Sequence, residues 1–268
     1  SIEDKTHSEI LNIESQIKEI YLEPTKDDIL IVQNLLEFIK RNNLSTFTGT
    51  GEWNWLEKNA RSEYLESLHN CDEKKLSQLF CNMFRNDVTY GYLSPSFKDI
   101  KDDKKWKNVL SNILCNIDSC IEFTNIKTLE SLVTENNICA PYGLKYSSGY
   151  ILPDSPRHYY YAYKINKICK KINDPIIYEI GGGYGGLTNF LYKFNKVNYT
   201  YVGIDLLPGL ISTYYYLKKN NLNVNLLNNI NKVVKGEINL LPFEIFKEQN
   251  ISNIDVNLIF NSRSLCEM

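Results

Sequence analysis

Residues 178–186 read Tyr-Glu-Ile-Gly-Gly-Gly-Tyr-Gly-Gly, and a second apolar run, Tyr199 to Ile204, ends in Asp205. A glycine string of this kind permits positive φ and close approach of the backbone to a ligand. An acid at the tip of the next strand can accept hydrogen bonds from both hydroxyls of a ribose. The chemistry these residues offer together is recognition of a nucleotide-type cofactor. Two spacings overlap. Gly181, Gly183 and Gly186 fit the G-x-G-x-x-G of dinucleotide folds, whereas Glu179 followed by Gly181, Gly183 and Gly185 fits an acid-x-G-x-G-x-G string.

The second string is that of class I S-adenosylmethionine (SAM) enzymes, and Glu179 tips the balance toward it. A dinucleotide fold lays a pyrophosphate over a helix N-terminus and gains little from a carboxylate two residues before the turn. The amino acid part of SAM carries an ammonium group that an acid there can help hold. A nicotinamide cofactor, and a glycine turn that binds nothing, stay open at this step. On the SAM reading, Gly181, Gly183 and Gly185 approach the amino acid part, Asp205 takes the ribose, and Tyr184 between the glycines offers an aromatic face to the sulfonium. Packing against a neighbouring loop is the plainer fate of that ring.

These residues need a strand, a turn, a helix and a returning strand. Ile176, Ile177, Tyr178 and Ile180 after Pro175 predict a buried strand, Leu187 to Phe194 a helix, and Tyr199 to Asp205 the parallel strand that follows. Pro208 to Lys219 reads as the next helix. Either Asn223 to Leu227 or Glu237 to Leu241 can be the third strand, the second being favoured because Pro242 and Phe243 end it at the right edge. Asp255 to Phe260 is the fourth, apolar enough to be central, with Asn261 and Ser262 at its tip. Before the first strand, Ser155 as cap and Pro156 in the first turn open a helix from Arg157 to about Ile172, buried along Tyr161, Ile165, Ile168 and Ile172. Such a helix lies across the cofactor cleft and brings Arg157, His158 and Tyr159 near it.

The first half reads helical. Ile10, Ile13, Ile17 and Ile20 repeat at helix spacing, and Asp28 to Lys40 carries one apolar stripe. Thr48 to Gly51 breaks the pattern, and further helical stretches run over Glu57 to Leu68, Glu73 to Arg85, Trp106 to Cys115 and Ile126 to Glu135. Trp53 and Trp55 read as core, with a sugar-lining role as the lesser reading. From Ala140 to Pro156 the texture is turn formers without period. The division is a helical region over residues 1–139 and an α/β domain over 140–268.

Composition bounds the rest. With 268 residues and 43% hydrophobic content the chain can build a core, and 30 basic against 32 acidic residues give no general pull toward nucleic acid or anionic membrane. Seven scattered cysteines without a C-x-x-C pair point to the reducing cytosol, and with only His7, His69 and His158 beside them a zinc site is not expected. No stretch reaches the ~20 apolar residues of a membrane span. The chain lacks an initiator methionine and stops after its fourth core strand, which reads as a fragment.

Four blocks resemble a family of SAM-dependent sugar O-methyltransferases. They are Phe84-Arg-Asn86 with Gly91; Pro141-Tyr-Gly143 through Gly149 to Asp154-Ser-Pro-Arg-His158-Tyr; Glu179 to Gly186; and Asn261-Ser-Arg-Ser-Leu-Cys-Glu-Met268. Ile204-Asp-Leu-Leu-Pro208 is close to the family's acid-Leu-Pro turn, with one extra leucine. The similarity covers roughly residues 80–268. It implies a Rossmann-like class I methyltransferase sheet, doubly wound and C-terminally incomplete with an open edge, after a helical N-terminal region. It also implies methyl transfer from SAM to a sugar hydroxyl of a glycan or glycosylated metabolite.

Such transfer is an in-line displacement that rewards alignment first, by ~7–11 kcal/mol, and a general base second. His158 is the leading base, with Glu267 and Asp154 as rivals and a plain surface histidine as the alternative. Arg157 and Arg263 can hold a phosphate or carboxylate on the acceptor, or tie the structure. Asn261 and Ser262 supply polar groups for cofactor or acceptor. An NAD-dependent oxidoreductase and a non-catalytic scaffold of the same fold are the rival functions.

Overall fold

A computed structural model describes residues 20–44, 55, 59–100, 102–194, 198–250 and 255–262. The stripe at Ile10, Ile13 and Ile17, the break at Thr48 to Gly51, Trp53, Arg263 and Glu267 lie outside the described residues. Trp55 is exposed, against its expected place in the core.

The helical region begins with α1 (Lys26–Arg41), opened by a capping box in which Thr25 accepts from the Asp28 N–H and Asp28 from the Thr25 N–H. Its stripe of Ile31, Val32, Leu35 and Ile39 is buried, as the periodicity predicts. Helices α2 (Ser62–His69), α3 (Glu73–Cys81) and α4 (Asp103–Phe123) follow. The α-helix expected to continue to Arg85 stops at Asn82, whose side chain bonds the Leu22 backbone through both its oxygen and its nitrogen, and a 3-10 turn over Met83–Arg85 carries the chain on to the expected end. An asparagine engaged in this way competes with helix continuation. The helix expected over Ile126 to Glu135 is a 3-10 turn at Leu129–Leu132 followed by strand β1 (Val133–Glu135).

Strands β2 (Leu144–Tyr146) and β3 (Gly149–Ile151) form a hairpin that pairs with β1 in the antiparallel order β1-β3-β2. This small sheet runs across the boundary expected at residue 139. A single apolar cluster joins α1 residues such as Leu35 to sheet residues such as Ile177 and Leu240, so the helical region and the α/β part share a core.

The main sheet is parallel: β4 (Ile176–Ile180), β5 (Thr200–Asp205), β6 (Val224–Leu226), β7 (Ile238–Pro242) and β8 (Leu258–Asn261), in the order β6-β7-β5-β4-β8. Helices α5 (Ser155–Cys169), α6 (Gly186–Phe194) and α7 (Leu207–Lys219) accompany it. The other face carries Tyr178, Val202, Ile204 and Leu241 under the short α8 (Phe243–Phe246) and the turn at Ile230. This five-stranded parallel arrangement is compatible with a Rossmann-like fold. Both candidates for the third strand are strands, with the favoured one beside β5. β8 is the outermost described strand on its side and leaves Ile259 exposed, so it is not central here.

The buried line of α5 is Tyr159, Ala162, Ile165 and Cys169, and Ile168 faces solvent. The small residues Ala162 and Cys169 take the packed face, so a pattern built on large apolar residues misplaces the stripe. No described helix is long and apolar enough to cross a membrane.

Candidate functional site

From β4 the chain proceeds to β5 on one side, while β8 lies on the other. Open parallel sheets bind ligands outside the carboxyl ends of their strands at such a switch point. The turn after β4 is tied at three places. The Gly181 N–H donates to the Ile204 carbonyl at 2.8 Å, the Gly185 N–H to the Gly182 carbonyl at 3.1 Å, and the Thr213 hydroxyl to the Gly183 carbonyl at 2.8 Å. Gly181, Gly183 and Gly185 adopt φ of 74°, 61° and 85°, a region costly for other residues.

The turn and the tip of β5 meet at Asp205. Its Oδ2 accepts the Gly183 N–H at 3.1 Å and its Oδ1 the Leu206 N–H at 2.8 Å. Burial pushes this carboxyl up to about 7, opposed by those two backbone donors and by the charge of Arg61. Gly209, in the first turn of α7, has no room for a side chain: a Cβ there would stand 2.8 Å from Asp205 Oδ2 and 2.9 Å from the Tyr92 hydroxyl.

Arg61 and Tyr92 were not singled out from the sequence, yet they reach this point from the helical region. Tyr92 lies over the turn, its Cβ 3.7 Å from where a Gly183 Cβ would be. Arg61 is 1% exposed, with its guanidinium carbon 3.8 Å above the Tyr92 ring. It donates from Nη1 to the Tyr92 hydroxyl at 2.7 Å and from Nε to the Tyr90 carbonyl at 2.9 Å. The one sequence signal was the arginine itself, one of five in a chain whose basic residues are otherwise lysine.

Glu179 takes a different place from the one expected. It is 3% exposed, and its carboxylate accepts from the Tyr201 and Thr188 hydroxyls. Burial raises its pKa to about 7, Tyr201 lowers it, Asp205 raises it further and Thr188 lowers it. A Cβ on Gly182 would come 3.4 Å from Glu179 Oε2, so the acid supports the turn from beneath instead of presenting an open acceptor.

Tyr184 packs, the plainer of the two fates its position offered. Its ring is buried between Phe84 at 5.1 Å and Tyr216 at 5.3 Å, and faces the core because the left-handed glycines on either side turn it inward. Its hydroxyl meets His158 Nδ1 at 3.2 Å. Tyr159, expected near the cleft, packs on Phe190 and Phe194 along the buried face of α5. Arg157 pairs with Asp154 at 3.1 Å, so both are engaged in tying the first turn of α5.

His158, half-buried, sits where expected. The N-terminus of α5 lies at the carboxyl edge because the chain runs down α5 and back up β4. The imidazole packs so closely on the start of α6 that a Cβ at Gly186 would stand 2.3 Å from Nδ1. At the tip of β8, the Asn261 side chain donates to the Ile180 carbonyl at 2.7 Å and ties the two strand ends together, with Ser262 following. Beside α5, a groove of about 180 Å³ is lined by Asn116, Ser119, Phe123, Arg157, Tyr160 and Tyr161 among others.

No family model matches the chain, and no curated protein or solved structure matches it.

Proposed function

We propose that the chain is a SAM-dependent O-methyltransferase acting on a sugar hydroxyl of a glycan or glycosylated metabolite. One observation carries the reading: the Gly183 N–H and the Asp205 carboxylate meet at 3.1 Å and join the turn after β4 to the tip of β5 at the switch point. With the Gly183 and Leu206 N–H groups holding it in place, the Asp205 carboxylate still has lone pairs to accept from the hydroxyls of an adenosyl ribose.

A dinucleotide is less well served. Its pyrophosphate belongs over the N-terminus of α6, where His158 and the Tyr184 hydroxyl already pack against Gly186. With Glu179 closed beneath the turn, the reading no longer needs that acid to touch the ligand; Glu179 fixes the turn that does.

When bound, SAM supplies an electrophilic methyl group. The chain's own residues must then hold the acceptor oxygen and remove its proton. His158 takes that proton, and the Tyr184 hydroxyl keeps its ring oriented through Nδ1. The groove beside α5 receives the sugar ring on Tyr160 and Phe123, with the amide of Asn116 and the hydroxyl of Ser119 to meet its hydroxyls. Because Asp154 already neutralises Arg157, a neutral sugar fits there better than a uronate.

The test is mass spectrometry of the products formed from labelled SAM and extracts of cell-surface glycans. A carbohydrate heavier by one labelled methyl supports the reading. Labelled SAM bound and left unchanged across the whole panel contradicts it.

A further inference from the structure

We propose that Arg61, acting through Tyr92, is a positioning residue for Asp205, so that the helical N-terminal region completes the donor site; this rests on the SAM reading of that site. A guanidinium is expensive to bury unless it is paired and hydrogen-bonded. Arg61 is nonetheless 1% exposed, in a chain that uses lysine almost everywhere else. A lysine could not replace it, since the planar fork serves two acceptors at once and stacks on a ring.

The arrangement is directional. Arg61 grips the Tyr90 carbonyl through Nε and Nη2, which holds the segment before Tyr92, and Nη1 holds the Tyr92 hydroxyl itself at 2.7 Å. That hydroxyl and Asp205 Oδ2 both stand within 3 Å of the Cβ position at Gly209, at 2.9 and 2.8 Å. The ring of Tyr92 covers Gly183, the residue whose N–H meets the same carboxylate. One buried cation thus sets both the lid over the turn and the polar wall beside Asp205.

Charge completes the argument. Arg61 is the cation that favours ionised Asp205, while Glu244 and the buried Glu179 oppose it. An ionised carboxylate accepts two ribose hydroxyls; the protonated acid keeps one oxygen as a donor.

The experiment combines a carbon-13 NMR titration of the Asp205 carboxyl in the ligand-free protein with SAM binding by calorimetry from pH 6 to 9, on wild type, Arg61→Gln and Tyr92→Phe. Arg61→Gln is expected to move the Asp205 midpoint up by about one unit. It then weakens SAM binding about five-fold at pH 7, where the ionised fraction falls from about one half to one tenth, and hardly at all at pH 9. Tyr92→Phe keeps the ring and shifts both readouts in the same sense by less, and it carries the test should Arg61→Gln fail to fold. Binding losses equal at pH 7 and pH 9, or an unmoved Asp205 midpoint, overturn the proposal by reducing Arg61 to packing. A wild-type protein that binds no SAM overturns the donor reading instead, a result the NMR titration separates from the coupling itself.

Discussion

Replacing Glu179 with glutamine should change how stability depends on pH, and the size of the effect follows from burial. The carboxyl is 3% exposed and is pushed from an ordinary 4.5 to about 7. Between those values the folded protein holds a proton that the unfolded chain has released, so stability falls as pH rises. The contribution is complete below about pH 4.5 and gone above about pH 7. A shift of ~2.5 units corresponds to ~3 kcal/mol, of which between about 2 and 3 lies in the window from pH 5 to pH 9. Glutamine is nearly isosteric, stays neutral and can still accept the Tyr201 hydroxyl through its amide oxygen. Urea unfolding of both proteins at pH 5, 6, 7, 8 and 9, with the denaturant slope checked for constancy, gives the difference directly. Other titrating groups cancel in that difference, apart from the Asp205 charge that Glu179 itself feels. The variant should gain about 2–3 kcal/mol on wild type across the range. Parallel curves with a constant gap refute the reasoning, since Glu179 would then be titrating as a solvated acid.

Further outcomes follow from the turn and the groove. Gly185→Ala forces a side chain into φ of 85° and puts its Cβ 2.9 Å from Thr213 Cγ2, so a loss of about 2–3 kcal/mol is expected by thermal unfolding. Gly182→Ala, with 3.4 Å to its nearest neighbour, should change stability by less than about 1 kcal/mol and serves as control. Asp205→Asn should abolish the rise in SAM affinity between pH 6 and 8 that ionisation of Asp205 produces in wild type, read by calorimetry at each pH. Ser119→Trp on the exposed side of α4 fills the groove and should raise the KM for sugar acceptor about ten-fold or more while leaving SAM affinity unchanged; an unaltered KM places the acceptor elsewhere.

The glycine turn and the strands on either side of it were legible because their signals are local. Ile176, Ile177 and Ile180 lead straight into the glycine string, and Asp205 closes the next apolar run, all within thirty residues. Elsewhere the information was not local. Three consecutive tyrosines at 159–161 cannot announce which one faces inward; the answer depends on Phe190 and Phe194 of α6. Strands of three residues, as in β1, β2 and β3, are too short for alternation to show, and Gly149 and Ser147 advertise only turns. Arg61 lies 144 residues from Asp205 in the chain (205 − 61), and nothing near either residue encodes their meeting. Glu179 shows the limit of motif spacing: position identified an acid at the turn, while the neighbouring Tyr201 and Thr188 decided that it would be buried.

The central claim is that the turn after Ile180 and the carboxylate of Asp205 form a site for an adenosyl sulfonium donor. Calorimetric titration of the protein with SAM and, separately, with NAD tests it most directly, repeated on Asp205→Ala. The account predicts saturable SAM binding that the substitution removes, with NAD binding weaker or absent. Tight NAD binding without SAM binding, or SAM binding indifferent to the loss of Asp205, would contradict it.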